Sequence, residues 1–340
     1  MDNKVSLSKS ISNKITSLSF LMTCVILIYH CFSDGPYINN LDNTINNFLY
    51  FLINELATIA MYYFFFTSGF LLFVNLNKNN TNQKIQKRVF SLFIPYIFWQ
   101  IIIFLSKITI LKQQISISEF INTVFLFKMW PPNGPLWYVY IVFLLSLFCP
   151  ILIRTYENKR ITTFLIPIIS VLSYYLYLNL PLNNIFFENS YLTNLFHYLS
   201  TYIFGSYAGY AMTNKMRKIE VLTIIIPALV LNTFLGLNIL RESLYSLIPL
   251  LIVLFTNFKL NINKRICGLS FLIYALHPIT KTIFLNFINN NLLSFNLPYT
   301  IINIVSVLSI LVITLLISFV IKSLIKHLCP NALIIITGGR

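Results

Sequence analysis

The chain has 340 residues, of which 57% are hydrophobic and only 10% are charged, and its formal net charge is +15. A soluble domain carries about 25% charged residues, so this chain lacks the polar surface that a water-soluble globule of its size needs. The basic residues lie in small clusters between apolar segments, which is a membrane-topology pattern and not a nucleic-acid-binding pattern. The composition therefore predicts an integral membrane protein with membrane lipids, and no nucleic acid, as partners.

The five cysteines predict neither a disulfide framework nor a metal site. They are scattered without Cys-x-x-Cys spacing, and four of them lie in or beside apolar segments, where cysteine is a small core residue. We expect no metal and no tightly bound cofactor. The first apolar run follows several lysines but has no small-residue cleavage site, which favours a retained helix over a signal peptide.

Apolar stretches long enough to cross a bilayer, about 20 residues, recur along the whole chain. They predict an all-α, polytopic helical bundle that forms a single transmembrane domain over residues 1–325, with a short cytoplasmic tail at 326–340. A semi-apolar segment, 107–134, is compatible with an interfacial helix. The ten predicted spans are 15–33, 50–76, 89–106, 135–153, 161–180, 192–213, 219–237, 243–257, 268–288 and 298–321.

The lysines and arginines assign an orientation to these spans. With the N-terminus inside, nineteen of the 24 basic residues fall in cytoplasmic regions, as the positive-inside rule requires. The exceptions are Lys107, Lys112, Lys128, Arg241 and Lys281. A different number of spans would place these basic clusters on both sides of the membrane. The charges therefore favour ten spans with both termini in the cytoplasm.

A polar stripe runs along the first span and ends at His30. Successive helical residues are about 100° apart, which places Ser12, Ser19, Thr23 and His30 within a narrow arc. Such a stripe in an apolar helix indicates a face that points into the protein or a water-filled cavity. The structural alternative is a histidine that hydrogen-bonds between helices or lies in the headgroup zone.

A second polar stripe occupies the ninth span. Ser270, Tyr274, His277 and Lys281 share one face, and Pro278 removes an amide donor within it. Two ionisable residues this deep suggest a functional site, although a hydrogen-bond cluster that fixes helix packing would produce the same pattern.

Two carboxylates are placed to orient an imidazole in the first span. Glu55 stands at the outer start of the second span, and Asp34 follows His30 by four residues. Either could hold a catalytic histidine in position, and either could equally be a solvated loop charge, which suits Asp34 better.

Five segments carry the clearest motifs of the chain, and they are SLSFLMTCVILIYH (17–30), FFFTSGFLLF (64–73), KRVFSLFIPYIFW (87–99), GPLWYVYIVFLLSLFCPIL (134–152) and GLSFLIYALHPI (268–279). In this order they resemble the acyltransferase-3 family of bacterial integral-membrane acyltransferases. The resemblance covers most of the chain, and its strength lies in the order of the matches on spans of the expected orientation.

The resemblance implies transfer of an acyl group, usually acetyl, from cytoplasmic acyl-CoA to a hydroxyl of a cell-surface polysaccharide or glycolipid. It implies a multi-pass protein of the bacterial cytoplasmic membrane with acyl-CoA as co-substrate. The resemblance makes His30 the catalytic histidine, and we predict that it acts as the base. Glu55 is its candidate catalytic partner because of its position at the outer start of the second span. The predicted acyl-donor site consists of Arg88, Lys87, Ser68 and Gly69. The last two belong to a signature turn. The predicted pathway or supporting residues are Ser19, Trp137, Tyr274, His277 and Lys281.

One position departs from the family pattern. The family usually has an arginine eleven residues before the histidine, and Ser19 stands there. Lys14 does not replace it, because it lies on nearly the opposite side of the helix. We therefore expect Arg88 and Lys87 to hold the donor phosphates. Fused members of the family carry a further extracytoplasmic domain, so this chain is either a stand-alone form or works with a separate partner.

Two other functions fit a polytopic chain with buried ionisable groups. A glycan or lipid transporter or flippase would show two related halves with broken helices, and no internal repeat is visible. A membrane glycan polymerase would have a large external loop, whereas the external loops here are mostly short.

Overall fold

The computed structural model describes residues 8–33, 44–109, 112, 114, 116–125, 131–179, 193–234, 236–257, 259–293 and 299–339. All regular structure in these ranges is helical, as the composition predicts. The α-helices are α1 (Lys9–Ser33), α2 (Thr44–Phe73), α3 (Thr81–Arg88), α4 (Ile94–Thr109), α5 (Ile117–Val124), α6 (Trp137–Ser146), α7 (Cys149–Tyr156), α8 (Lys159–Asn179), α9 (Thr193–Thr213), α10 (Lys218–Thr233), α11 (Leu237–Phe255), α12 (Lys264–Cys267), α13 (Ser270–Leu293), α14 (Tyr299–Leu328) and α15 (Pro330–Thr337).

Several helices are long and apolar enough to cross a membrane. Within the described ranges there are five, or six if the bent pair Gly134–Ser146 and Cys149–Tyr156 forms one span. The protein is therefore an all-helical, multi-pass membrane protein. The count of ten spans and the cytoplasmic position of both termini stay predictions. The five are Lys9–Ser33, Asn47–Phe73, Lys78–Thr109, Lys159–Asn179 and Ile301–Leu328.

The third and fourth predicted spans are not regular helices. A π-helical segment at Val89–Phe93 joins α3 to α4, and the amide of Ile94 donates to the Val89 carbonyl. Pro95, which has no N–H for a regular α-helical bond, follows directly. The fourth span bends by 53° between α6 and α7, where proline in the first turn of α7 restarts the helix.

Cα-contact clustering divides the chain into two compact units. The first unit comprises Met1–Ile15 and Met61–Lys259. Its α2 and α9 approach through glycines: a Cβ on Gly69, Gly205 or Gly209 would lie 2.0–2.4 Å from a carbonyl oxygen of the facing helix. Small residues allow such close backbone approach between membrane helices, and this contact sets α9 directly against α2.

Lysine side chains cap helix ends in the first unit. Lys14 is 4% exposed, and its Nζ donates to the carbonyls of Ile252, Val253 and Thr256 at 2.8–3.0 Å. These carbonyls lie at the C-terminal end of α11, where the helix leaves acceptors unsatisfied and a cation is favourable. Lys84 does the same for α2, donating to the Val74 carbonyl at 2.9 Å.

The second unit comprises Thr16–Ala60 and Leu260–Arg340. Its core is an apolar cluster that includes Phe20, Leu27, Ile273 and Ile310. Polar bonds add to this packing, since the Thr280 and Thr314 hydroxyls are 2.7 Å apart and join α13 to α14. The core holds the last three turns of α1 against α13, and this positions the candidate active site.

Candidate functional site

His30 and His277 come together in the second unit. His30 lies near the end of α1 and His277 in the second turn of α13, and their rings stack with centroids 5.2 Å apart and an interplanar angle of 28°. His277 is 1% exposed, whereas His30 is half-buried. The two polar stripes of the sequence therefore meet at their histidines.

The hydrogen bond of His277 fixes its tautomer. Its Nδ1 lies 2.8 Å from the backbone carbonyl oxygen of Tyr274, which only accepts, so Nδ1 carries the hydrogen and donates. In the neutral ring the lone pair is then on Nε2. Among the described residues this atom is buried without a hydrogen-bond partner. His277 therefore presents a proton acceptor inside the unit, next to the His30 ring.

The other members of the two stripes play more local roles. The Tyr274 ring lies 5.7 Å from the His277 ring, and Lys281 is half-buried one turn further along α13. Ser270 donates to the Cys267 carbonyl at 2.6 Å, and Thr23 donates to the Ser19 carbonyl at 2.8 Å. These two hydroxyls bond to backbone near their own position.

The two predicted carboxylate partners have different outcomes. Glu55 lies in the part of α2 that belongs to the second unit, and its side chain is half-buried. Its assignment as the partner of His30 stays a prediction. Asp34 lies outside the described residues.

The first unit brings together two of the residues predicted to bind the donor. Arg88, the last residue of α3, donates through Nη2 to the Ser68 carbonyl at 2.9 Å and through Nη1 to the Ser68 hydroxyl at 3.3 Å. Lys87 is exposed beside it. These two cations form a basic surface where the C-terminal end of α3 contacts α2, and this surface suits an anion.

Ser68 and Gly69 do not form a turn, so that expectation is wrong. Both lie inside α2, which continues to Phe73. A Cβ at Gly69 would be 2.4 Å from the Tyr202 carbonyl oxygen, so the glycine permits the close contact with α9. This contact gives a reason for the Ser-Gly pair in a helix, where glycine is otherwise unfavourable.

A second buried polar cluster was missed by the sequence reasoning. In the first unit, the Tyr62 hydroxyl lies 3.0 Å from Nε2 of His197, and Nδ1 of the same ring lies 3.6 Å from Oε2 of Glu242. His197 is 8% exposed. These residues come from α2, α9 and α11, so no local sequence motif joins them. The available signal was an ionisable residue, His197, within an apolar span.

Aromatic rings surround this cluster. The His197 ring is edge-on to Tyr177 at 4.3 Å and to Tyr198 at 4.5 Å. Tyr198 stacks flat on Phe65, with centroids 4.4 Å apart, and Trp137 lies 5.9 Å from Tyr198. Trp137, predicted as a pathway residue, thus supports the wall of this cluster.

No group of three or more histidine, cysteine, aspartate or glutamate side chains in the described ranges has the arrangement of a metal site. A family model described as an acyltransferase domain matches residues 19–323, nearly the whole chain. No curated protein and no solved structure matches the chain significantly.

Proposed function

The chain belongs to the acyltransferase-3 family and is a membrane acyltransferase, and we propose that it moves an acyl group from cytoplasmic acyl-CoA to a hydroxyl of a cell-surface polysaccharide or glycolipid. Acetyl is the acyl group that we propose, and the bacterial cytoplasmic membrane is the proposed location. The single observation that carries the proposal is the stacked pair of His30 and His277. Imidazole is the side chain best suited to moving a proton near neutral pH.

The chemistry needs one base and one set of oxyanion donors. The acceptor hydroxyl attacks the thioester carbonyl, so that a C–O bond forms while His30 takes the hydroxyl proton. The tetrahedral intermediate then collapses, the C–S bond breaks, and the CoA thiolate recovers the proton from His30. The products are an ester and CoA-SH. Buried hydroxyls such as that of Tyr274 would stabilise the oxyanion.

His277 is the proposed supporting residue for this step. Its Nε2 lone pair lies beside a His30 that becomes positive when it accepts the proton. Two adjacent imidazoles repel each other when both are charged, so the pair carries one positive charge at a time. We propose that His277 stays neutral and holds His30 in the orientation that accepts the hydroxyl proton.

Arg88 is the proposed anchor of the donor. Its guanidinium already makes two hydrogen bonds to one residue, which fixes its plane, and a planar guanidinium binds phosphate through paired N–H groups. Lys87 adds a second, exposed cation. The phosphates of acyl-CoA are the ligands that this basic surface would take, and Ser19 at the family's arginine position leaves that task to Arg88.

The proposal is tested with purified protein in liposomes, ¹⁴C-acetyl-CoA and a polysaccharide extract from the native host. Incorporation of label into polysaccharide, with release of CoA, supports an acyltransferase. Transport of polysaccharide without label incorporation would instead support the flippase function. Alkaline treatment should release the label, since it is held as an ester.

The topology has its own test. Reporter fusions after Arg340 and within residues 39–47 should report opposite sides of the membrane, because nineteen of the 24 basic residues would then be cytoplasmic. Reporters on the same side would contradict the ten-span arrangement and the cytoplasmic supply of the donor.

A further inference from the structure

The second unit carries a group of basic residues where α12 meets the end of α14. Lys264 and Arg265 lie in α12, and Lys322 and Lys326 lie about one turn apart in α14. Three of these side chains are exposed, and that of Lys322 is half-buried. No acidic residue follows Glu242 in the sequence, and none of the four cations forms an ion pair with a described residue. We call these four residues the α12–α14 cluster.

One hydrogen bond holds the two parts of the α12–α14 cluster together. Nζ of Lys322 donates to the Gly268 carbonyl oxygen at 2.6 Å. A Cβ on Gly268 would lie 2.8 Å from the same Nζ and 3.4 Å from the Lys264 carbonyl oxygen. The Lys322 ammonium group therefore lies at the C-terminal end of α12, beside the backbone that carries Lys264 and Arg265. Lys326 follows on the same face of α14, since helical residues four apart are neighbours.

An apolar helix follows these charges directly. The backbone of Cys329 is not helical, and α15 begins after it and packs against α13 and α14. Leu328, at the end of α14, is 78% exposed, and Ile334 and Ile335 of α15 are 52% and 46% exposed. Large apolar side chains beside lysines are typical of a helix that lies in the membrane interface, with its apolar face among the acyl chains.

The two parts of this surface select the class of ligand. Ammonium and guanidinium groups bind phosphate through charge-assisted hydrogen bonds, and exposed isoleucines pack against hydrocarbon. An anionic phospholipid supplies both a phosphate ester with net negative charge and acyl chains, whereas a nucleotide supplies only the phosphate. In the predicted topology this surface is cytoplasmic, and anionic lipids of the cytoplasmic leaflet attract lysines and arginines next to a membrane span.

We propose that the α12–α14 cluster and α15 form a binding site for an anionic phospholipid, with the phosphate at the cations and the acyl chains along Ile334 and Ile335. The site does not depend on the proposed acyl transfer. It does adjoin the helix that carries His277, because α13 begins two residues after Gly268. A bound lipid would hold the start of that helix against α14.

Native mass spectrometry of the purified full chain in detergent tests this site. The protein is titrated with palmitoyl-oleoyl phosphatidylglycerol and with phosphatidylcholine of the same acyl chains, which has no net charge. Wild-type protein should bind the first phosphatidylglycerol about tenfold or more tightly than phosphatidylcholine. The triple variant Lys264→Gln, Arg265→Gln and Lys326→Gln should lose this preference, since each basic residue at a membrane surface contributes about fivefold.

A matched control removes the same number of charges elsewhere. Arg154→Gln, Arg160→Gln and Lys215→Gln change exposed basic residues of the first unit, and this triple variant should keep the wild-type preference. Ile335→Ser leaves every charge in place and changes one exposed side chain. It should weaken phosphatidylglycerol binding a few-fold, and an unchanged affinity would contradict the role of α15.

The lipid site is overturned by any of three results in this titration. They are equal binding of the two lipids by the wild type, an unchanged preference in the Lys264, Arg265 and Lys326 variant, and an equal loss in the control triple variant. Addition of CoA identifies the source of the phosphate. Displacement of phosphatidylglycerol from the wild type by CoA would assign the cluster to a soluble nucleotide and overturn the lipid site, whereas retention of the lipid supports it.

Discussion

The two buried histidines of this protein differ in where their partners come from. His277 donates from Nδ1 to a backbone carbonyl of its own helix, which leaves a lone pair on its buried Nε2. His197 has its Nε2 3.0 Å from the Tyr62 hydroxyl and its Nδ1 3.6 Å from a carboxylate oxygen of Glu242. One ring is therefore fixed within its own helix, and the other is fixed by side chains of two other helices.

The partners also explain why the arrangement around His277 could be predicted from the sequence and the arrangement around His197 could not. The partner of His277 is the carbonyl three residues earlier in the same helix, so the local segment contains the whole arrangement. The partners of His197 come from α2 and α11, 135 residues before it and 45 after it. A local motif cannot encode such an arrangement, which depends on the packing of α9 against its neighbours.

The largest effect is expected from a substitution that disrupts the helix packing next to the His197 cluster. A Cβ at Gly205 would be 2.0 Å from the Phe66 carbonyl oxygen, and backbone atoms cannot move aside as a flexible side chain can. Gly205→Val should therefore abolish most folded protein, as measured by the monodisperse fraction in size-exclusion chromatography. Gly134→Ala, whose Cβ would meet no atom within 4 Å, is the control. Equal yields of the two variants would show that α2 and α9 are not closely packed.

The next prediction affects the histidine pair. His277→Gln removes the fixed Nε2 lone pair and should lower kcat by about tenfold to hundredfold. This is less than the 10²–10⁴-fold usual for a group that itself transfers the proton. The folded yield should stay as in wild type. A loss larger than that of His30→Gln would make His277 the base and His30 its support.

A third prediction concerns the donor. Arg88→Ala should raise the KM for acyl-CoA about tenfold or more, since hydrogen bonds to charged groups contribute about 1.5–3 kcal/mol. Arg88→Lys should have a smaller effect because it keeps the charge and loses the planar donor pair. The exposed neighbour Lys87, changed to alanine, should matter least. If all three variants share the wild-type KM, the donor binds elsewhere.

Features that depend on local pattern were predictable from the sequence. The all-helical membrane class follows from composition, and the helix faces that carry His30 and His277 follow from a 100° period. The expectation of a turn at Ser68 and Gly69 was wrong, because glycine in this helix serves an interhelical contact that only the facing residues of α9 reveal. The capping of α11 by Lys14 likewise joins residues 238 positions apart. Such contacts are tertiary, and periodicity carries no information about them.

The central claim is that His30 moves the proton in acyl transfer. The most direct test compares His30→Gln with wild type for transfer of ¹⁴C-acetyl from acetyl-CoA to polysaccharide at saturating concentrations of both substrates. Glutamine keeps the size and a hydrogen bond but cannot cycle a proton near neutral pH. The account predicts a loss of about 10²–10⁴-fold, with unchanged folded yield. Transfer at close to the wild-type rate would contradict it and leave His30 a structural partner of His277.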